Sequence, residues 1–134
     1  MASVRKQVHL DAPPERVWDA VRGVGALHER LVPGFVVDTR LEDDARVVTF
    51  ADGTVQREPL VDVDDDRRRL VHTAVDSPLG ATHHNASVEV LPDGAGTRLE
   101  WVVDVLPHGV RDRLDRAMEA GAAAMRAAID RRPS

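Results

Sequence analysis

Three side chains in the middle of this sequence could do chemistry together: Glu58, His72 and His84. A carboxylate in apolar surroundings has a raised pKa and can act as acid or base near neutrality, and an imidazole needs no such help. Quieter uses exist for the same groups. Glu58 could anchor a bound molecule through a water or pair with Lys6, and a buried histidine can be a hydrogen-bonded core or rim residue. His28 and Trp101 are further candidates, the indole serving equally as pocket wall or ordinary core. His83 beside His84 invites a metal reading, but neighbours on a strand point to opposite faces and do not converge on one ion, so no metal site is expected. The sequence has no GxGxxG, P-loop, GxSxG or HExxH pattern, so no cofactor and no nucleophile is named.

Strand parity decides which of these side chains can meet. Around His84, inward Val88 and Val90 bring Ala86 and His84 to the core side and send His83, Asn85 and Glu89 outward. Leu99, Trp101, Val103 and Val105 form the inward set of the next strand, leaving Arg98, Glu100 and Asp104 to solvent. Leu70, His72 and Ala74 share one face, and the apolar alternative, Val71 with Val75, would turn His72 out. The conflict is sharper around Glu58. There Val55, Pro59, Val61 and Val63 make the more apolar face, whereas Glu58 and Leu60 lie on the other.

The elements that must position these groups follow from periodicity. Val4 to Leu10 alternates as a first strand whose inward side also carries Lys6. In DAPPERVWDAV, Asp11 or Ala12 is a plausible N-cap, prolines suit the first turn, and Val17, Trp18 and Val21 form the buried side of a short helix. A second short helix from about Val24 to Leu31 is stopped by Pro33 and Gly34. From Phe35 the period becomes two, with turns at Glu42 to Asp44, Ala51 to Gly53, Asp64 to Asp66, Ser77 to Gly80 and Pro92 to Gly96. The last element is a long amphipathic helix from Val110 to Arg131, with Val110, Leu114, Met118, Met125 and Ile129 on one stripe. Arg131 and Arg132 sit where the helix dipole favours cations. The result is an α+β chain: seven antiparallel strands, two short helices between the first and second, and one long helix across the curled sheet.

A length of 134 residues fits one domain, taken as residues 1–132 with 133–134 as a tail. Cysteine is absent, which removes disulfides, thiolate catalysis and Cys-ligated zinc. Lys and Arg number 18, Lys6 being the only lysine, yet the net charge is -5, so a nucleic-acid partner lacks its electrostatic footprint. No apolar run approaches a membrane span and none follows Met1, and the chain reads as cytoplasmic. An exposed strand edge or the outer face of the long helix could support a homodimer.

Three stretches carry a resemblance: VHLDAPPERVWDAV, ADGTVQREPLVDVDDDRRRLVHTAV with its acidic Glu58, and HHNASVEVLPDGAGTRLEWVVDVLP leading into the long helix. In this order they resemble the SRPBCC superfamily, the helix-grip fold of START lipid-transfer domains and birch-pollen-type allergens, in its polyketide cyclase/dehydrase-like branch. Where relatives often carry pocket tyrosines, this chain has His72 and His84. The resemblance implies a cavity between sheet and long helix, with Glu58 and Leu60 turned inward and an irregularity near Pro59, which cannot donate to a ladder. Small residues Gly121 and Ala122 would leave room for a ligand, and Met118 and Met125 would be adaptable walls; close packing of a strand on the helix is the alternative. The implied function is binding of a small hydrophobic molecule, polyketide-like, aromatic or lipid-like. Candidate contacts are Lys6, His28, Leu60, Trp101, Met118, Gly121, Ala122 and Met125. The alternative is a cofactor-independent cyclase or dehydratase in which Glu58, His72 and His84 enolise a carbonyl, close a ring or expel water. A third reading is a regulatory domain whose ligand rearranges the Ser77 to Thr82 loop.

Overall fold

The computed structural model describes residues 2–130. Arg131, Arg132 and the 133–134 tail therefore lie outside the described residues. The elements run β1 (Ala2–Leu10), α1 (Pro14–Arg22), α2 (Leu27–Arg30), β2 (Val36–Glu42), β3 (Ala45–Phe50), β4 (Val55–Asp64), β5 (Arg69–Thr73), β6 (His83–Asp93), β7 (Gly96–Leu106) and, after a single 3-10 turn at His108–Val110, α3 (Arg111–Ile129). All seven strands form one antiparallel sheet in the order β1-β7-β6-β5-β4-β3-β2. Consecutive strands pair except the first two. β1 and β2 end at opposite edges because α1 and α2 carry the chain across the sheet, and β1 pairs with β7 instead. This is the helix-grip architecture.

Two local expectations are corrected. Helix α1 begins one or two residues later than an Ala12 or Asp11 cap requires: Pro13 occupies the N-cap with extended backbone and no side-chain capping bond, followed by Pro14 at N1. Proline suits this place because its missing N–H would find no helical partner anyway. The Asp11 amide donates instead to Asp130 Oδ1 at 2.9 Å, tying the β1 end to the end of α3. The second short helix is a single turn, Leu27–Arg30; the Val24 amide is taken by the Arg22 carbonyl in a turn before it.

Helix α3 buries Leu114, Met118, Gly121, Ala122, Met125 and Ile129, the stripe that its periodicity requires. Its seat is β1, with which it makes its main sheet contacts. Two apolar clusters meet along it. One gathers Val8, Leu10, Val17, Trp18, Leu99, Met125 and Ile129 at the α1 end, and the other Val4, Val103, Val105, Val110, Leu114 and Met118 at the start of α3. Trp101 packs against both.

In β4 the inward side belongs to Gln56 and Glu58, both buried, while the more apolar set Val55, Val61 and Val63 is exposed. The register shifts between Leu60 and Asp62, just past Pro59. Composition misleads here because the inner face of this strand is built to be polar.

Candidate functional site

Between α3 and the β3–β7 part of the sheet lies a cavity of about 420 Å³. Its walls are apolar: Leu27, Leu31 and Val32 from the α2 region, Phe35 and Phe50 at one end, Val88, Trp101 and Val103 from the sheet, and Leu114, Met118 and Met125 from α3. Phe35 and Phe50 meet edge to face with ring centroids 5.5 Å apart, a geometry that satisfies the ring quadrupoles. Exposed Ala51, Asp52 and Pro78 rim one side.

One wall is polar, and it is built by cross-strand register. Hairpin β3–β4 sets Arg46 directly opposite Glu58. β4–β5 sets Leu60 opposite His72, and β5–β6 sets His72 opposite Ala86. His72 and His84 are thus diagonal neighbours, with ring centroids 6.4 Å apart. The stripe Arg46, Gln56, Glu58, His72, His84 crosses four strands on the inner face, and each member is only 5% to 7% exposed.

The bonding inside this stripe is specific. Arg46 Nε donates to Glu58 Oε1 at 2.7 Å and Gln56 Nε2 donates to Glu58 Oε2 at 2.6 Å, so both carboxylate oxygens are engaged. His72 Nδ1 donates to the Thr73 carbonyl at 3.1 Å, and lies 3.7 Å from Glu58 Oε1. That tautomer leaves His72 Nε2 as the acceptor. His84 Nδ1 is the one buried side-chain polar atom without a hydrogen-bond partner among the described residues.

Electrostatics follow from these contacts. Burial by itself would raise the Glu58 carboxyl, but the charges of His72 and Arg46, with hydrogen bonds from Arg46 and Gln56, outweigh it and hold the group at about 2. At neutral pH a neutral imidazole supplies no charge, so Arg46 is the partner that keeps Glu58 ionised there. Burial pushes His72 down, with Glu58 pulling against it and Arg46 adding to it. Burial also pushes His84 down, to about 4, with His72 adding to the effect. The expectation of a Glu58 carboxyl with raised pKa is therefore overturned: its counter-charge sits in contact, and desolvation loses to it. Pairing with Lys6, one of the alternatives for this carboxylate, is corrected too. Lys6 Nζ reaches over the outside of α3 to Asp115 Oδ1 at 2.8 Å and Glu119 Oε1 at 2.7 Å, away from the cavity.

Of the other candidates, Trp101, Met118 and Met125 line the cavity. His28, Leu60, Gly121 and Ala122 do not. His28 Nδ1 is 3.0 Å from Thr39 Oγ1 beside β2. Leu60 stands at the β4 irregularity beyond the polar stripe. Gly121 follows the close-packing alternative: a Cβ there would lie 3.1 Å from Trp101 Cη2 and 3.5 Å from Phe35 Cε2. The small residue seats the indole that forms the wall rather than forming the wall itself. Ala122 is packed in the apolar cluster at the α1 end.

Arg46 and Gln56 escaped the sequence reading. A signal for Arg46 was present, because the short Ala51 to Gly53 turn fixes the hairpin register that faces it to Glu58. Arginine beside two consecutive valines, ARVVTF, reads as solvent-facing by default.

A curved antiparallel sheet gripping a long helix around a mostly apolar cavity defines a helix-grip ligand-binding domain. The polyketide cyclase / dehydrase and lipid transport family matches residues 1–132, and the chain belongs to it, within the SRPBCC superfamily. Solved structures agree on the fold. XoxI from Bacillus cereus superposes with a TM-score of 0.86 at 20% identity, covering 96% of each chain. A Thermobifida fusca protein gives 0.79 at 28% identity, covering 97% of this chain and 91% of its own. A START superfamily protein from Mycobacterium smegmatis gives 0.77 at 16% identity, covering 96% and 97%. A search of curated proteins returned no match. No described helix is long and apolar enough to cross a membrane.

Proposed function

We propose that this chain binds and carries a small, largely apolar organic molecule, polyketide-like, aromatic or lipid-like, in the cavity between the sheet and α3. The observation that carries this reading is the cavity itself, about 420 Å³ with apolar walls and one polar stripe. Its size lies within the usual range for small-molecule sites, roughly 300–1,000 Å³. Glu58 acts in it as an anchor that holds Arg46, not as a proton donor, since both its oxygens are already bonded. The test is titration with the uncharged fluorescent probe N-phenylnaphthylamine. Saturable one-to-one enhancement is expected for the wild type, and its loss in Ala117→Phe, which pushes a ring into the cavity from α3. A wild-type protein that leaves the probe dark while remaining folded by circular dichroism sinks the reading.

A second reading, cyclase or dehydratase, is favoured by one feature, the unpartnered His84 nitrogen. In it His72 and His84 move protons at an enolisable carbonyl while Glu58 and Arg46 orient the chain. Turnover of a linear poly-β-keto thioester by the wild type, Glu58→Gln and His84→Ala tests it. Equal rates in all three remove these residues from the chemistry.

A further inference from the structure

The polar stripe also says what kind of head group the cavity accepts, an inference that rests on the carrier reading above. Its formal charges cancel at contact distance: the Arg46 guanidinium is matched by Glu58 at 2.7 Å, and Gln56 completes the carboxylate. His72 gives its Nδ1 proton to the Thr73 carbonyl. The surfaces facing this stripe across the cavity are Leu114, Ala117 and Met118 of α3, Trp101 of β7 and the Leu79 loop, none of them titratable. The nearest other acid on the lining is Asp52, exposed at the rim, and His83 points to the outer side of β6. Against this neutral background His84 lends its imidazole to the cavity wall, and nothing among the described residues bonds its buried Nδ1.

We infer that the cavity selects an uncharged ligand bearing a hydroxyl, phenolic or enolic, placed against the His84 imidazole that lines it, and discriminates against carboxylates. A hydroxyl both donates and accepts, so it completes His84 in either neutral tautomer. A carboxylate would lose its hydration without gaining a free counter-charge, because Arg46 is already spent on Glu58, and it would meet the Glu58 carboxylate as a like charge. Burial keeps both imidazoles below their ordinary range, so neither supplies a cation at neutral pH. A ligand with no polar group covers the cavity face of the His84 imidazole without pairing it, which costs free energy.

Three probes of one shape separate these cases: β-naphthol, β-naphthoate and β-methylnaphthalene, titrated calorimetrically at pH 7 into the wild type and His84→Leu. In the wild type β-naphthol is expected to bind about tenfold more tightly than β-methylnaphthalene, the worth of one buried hydrogen bond, with β-naphthoate the weakest. In His84→Leu the β-naphthol advantage disappears while β-methylnaphthalene binds at least as well as before, which also shows that the variant keeps its cavity. Naphthoate binding as tightly as naphthol overturns the inference, and so does an unchanged naphthol preference in His84→Leu. Equal wild-type binding of naphthol and methylnaphthalene overturns it as well, since His84 is then served by solvent. Failure of all three probes to bind overturns the carrier reading, and this inference with it.

Discussion

Along β1 and the two ends of β7 the inner face of the sheet carries Val4, Val8, Leu99 and Val105, and α3 is seated there through β1. Along β3, β4 and β5 the same face carries Arg46, Gln56, Glu58 and His72, and a cavity separates it from the helix. A helix stripe of Leu, Met and Ile gains by pressing on the first surface and gains nothing by desolvating the second. The polar half must therefore satisfy itself within the sheet, which it does through the Arg46–Glu58–Gln56 bonds. The sheet's two halves thus explain why the grip is tight at one side and open at the other. Trp101, seated on Gly121, marks the boundary between them.

The largest expected effect comes from breaking the polar half. Glu58→Ala leaves Arg46 buried without its counter-charge and should cost about 3–5 kcal/mol in urea unfolding. Replacing both partners, Arg46→Met with Glu58→Leu, should recover most of that loss. A single mutant as mild as the double would mean that Arg46 escapes to water. Next come paired truncations across the boundary. Leu99→Ala, in the packed half with 0% exposure, should cost about 4 kcal/mol, whereas Leu114→Ala, which borders existing empty space, should cost about 2 kcal/mol. Equal losses would show that the cavity is closed in solution.

Acid should weaken the polar half selectively. An imidazole in the unfolded chain takes its proton near a pKa of about 6.5, but His84 in the folded protein does so only at about 4. Between these values the unfolded state binds more protons, so stability falls as pH drops through this window, by up to about 3 kcal/mol from His84 alone. His72 is shifted in the same direction. The carboxylate contribution of Glu58 persists lower, declining only from the ordinary glutamate range of about 4.3 towards its folded value of about 2. Thermal melts between pH 7 and pH 4 check this, and His84→Leu should flatten the upper part of the decline. The smallest effect is expected on the outer face of the packed half. There Arg5, which is 65% exposed, pairs with Glu100 at 2.8 Å, and Arg5→Ala should change stability by less than about 1 kcal/mol.

Much of this frame was legible in the chain. Alternation located the inward sets His84, Ala86, Val88, Val90 and Leu99, Trp101, Val103, Val105, because a strand's period of two leaves no third choice. The α3 stripe was equally plain, since 3.6-residue spacing admits one apolar face. Glu58 and His72 were harder. Local composition favoured the opposite face of β4, and only the resemblance turned it, because a polar inner wall breaks the rule that apolar residues point inward.

What the amino-acid order determined by itself was the succession of strands and helices and the parity of each, since both depend on neighbours within a few residues. Three things were decided only by tertiary structure. Arg46, rather than Lys6, neutralises Glu58, because register brings β3 opposite β4 while Lys6 is claimed by Asp115 and Glu119 of α3. Gly121 receives Trp101 instead of bordering the cavity, because the indole crosses from β7 to the helix there. And the Glu58 carboxyl is ionised rather than raised, because its charge depends on which groups lie within a few ångströms in space, a quantity that no spacing along the chain contains.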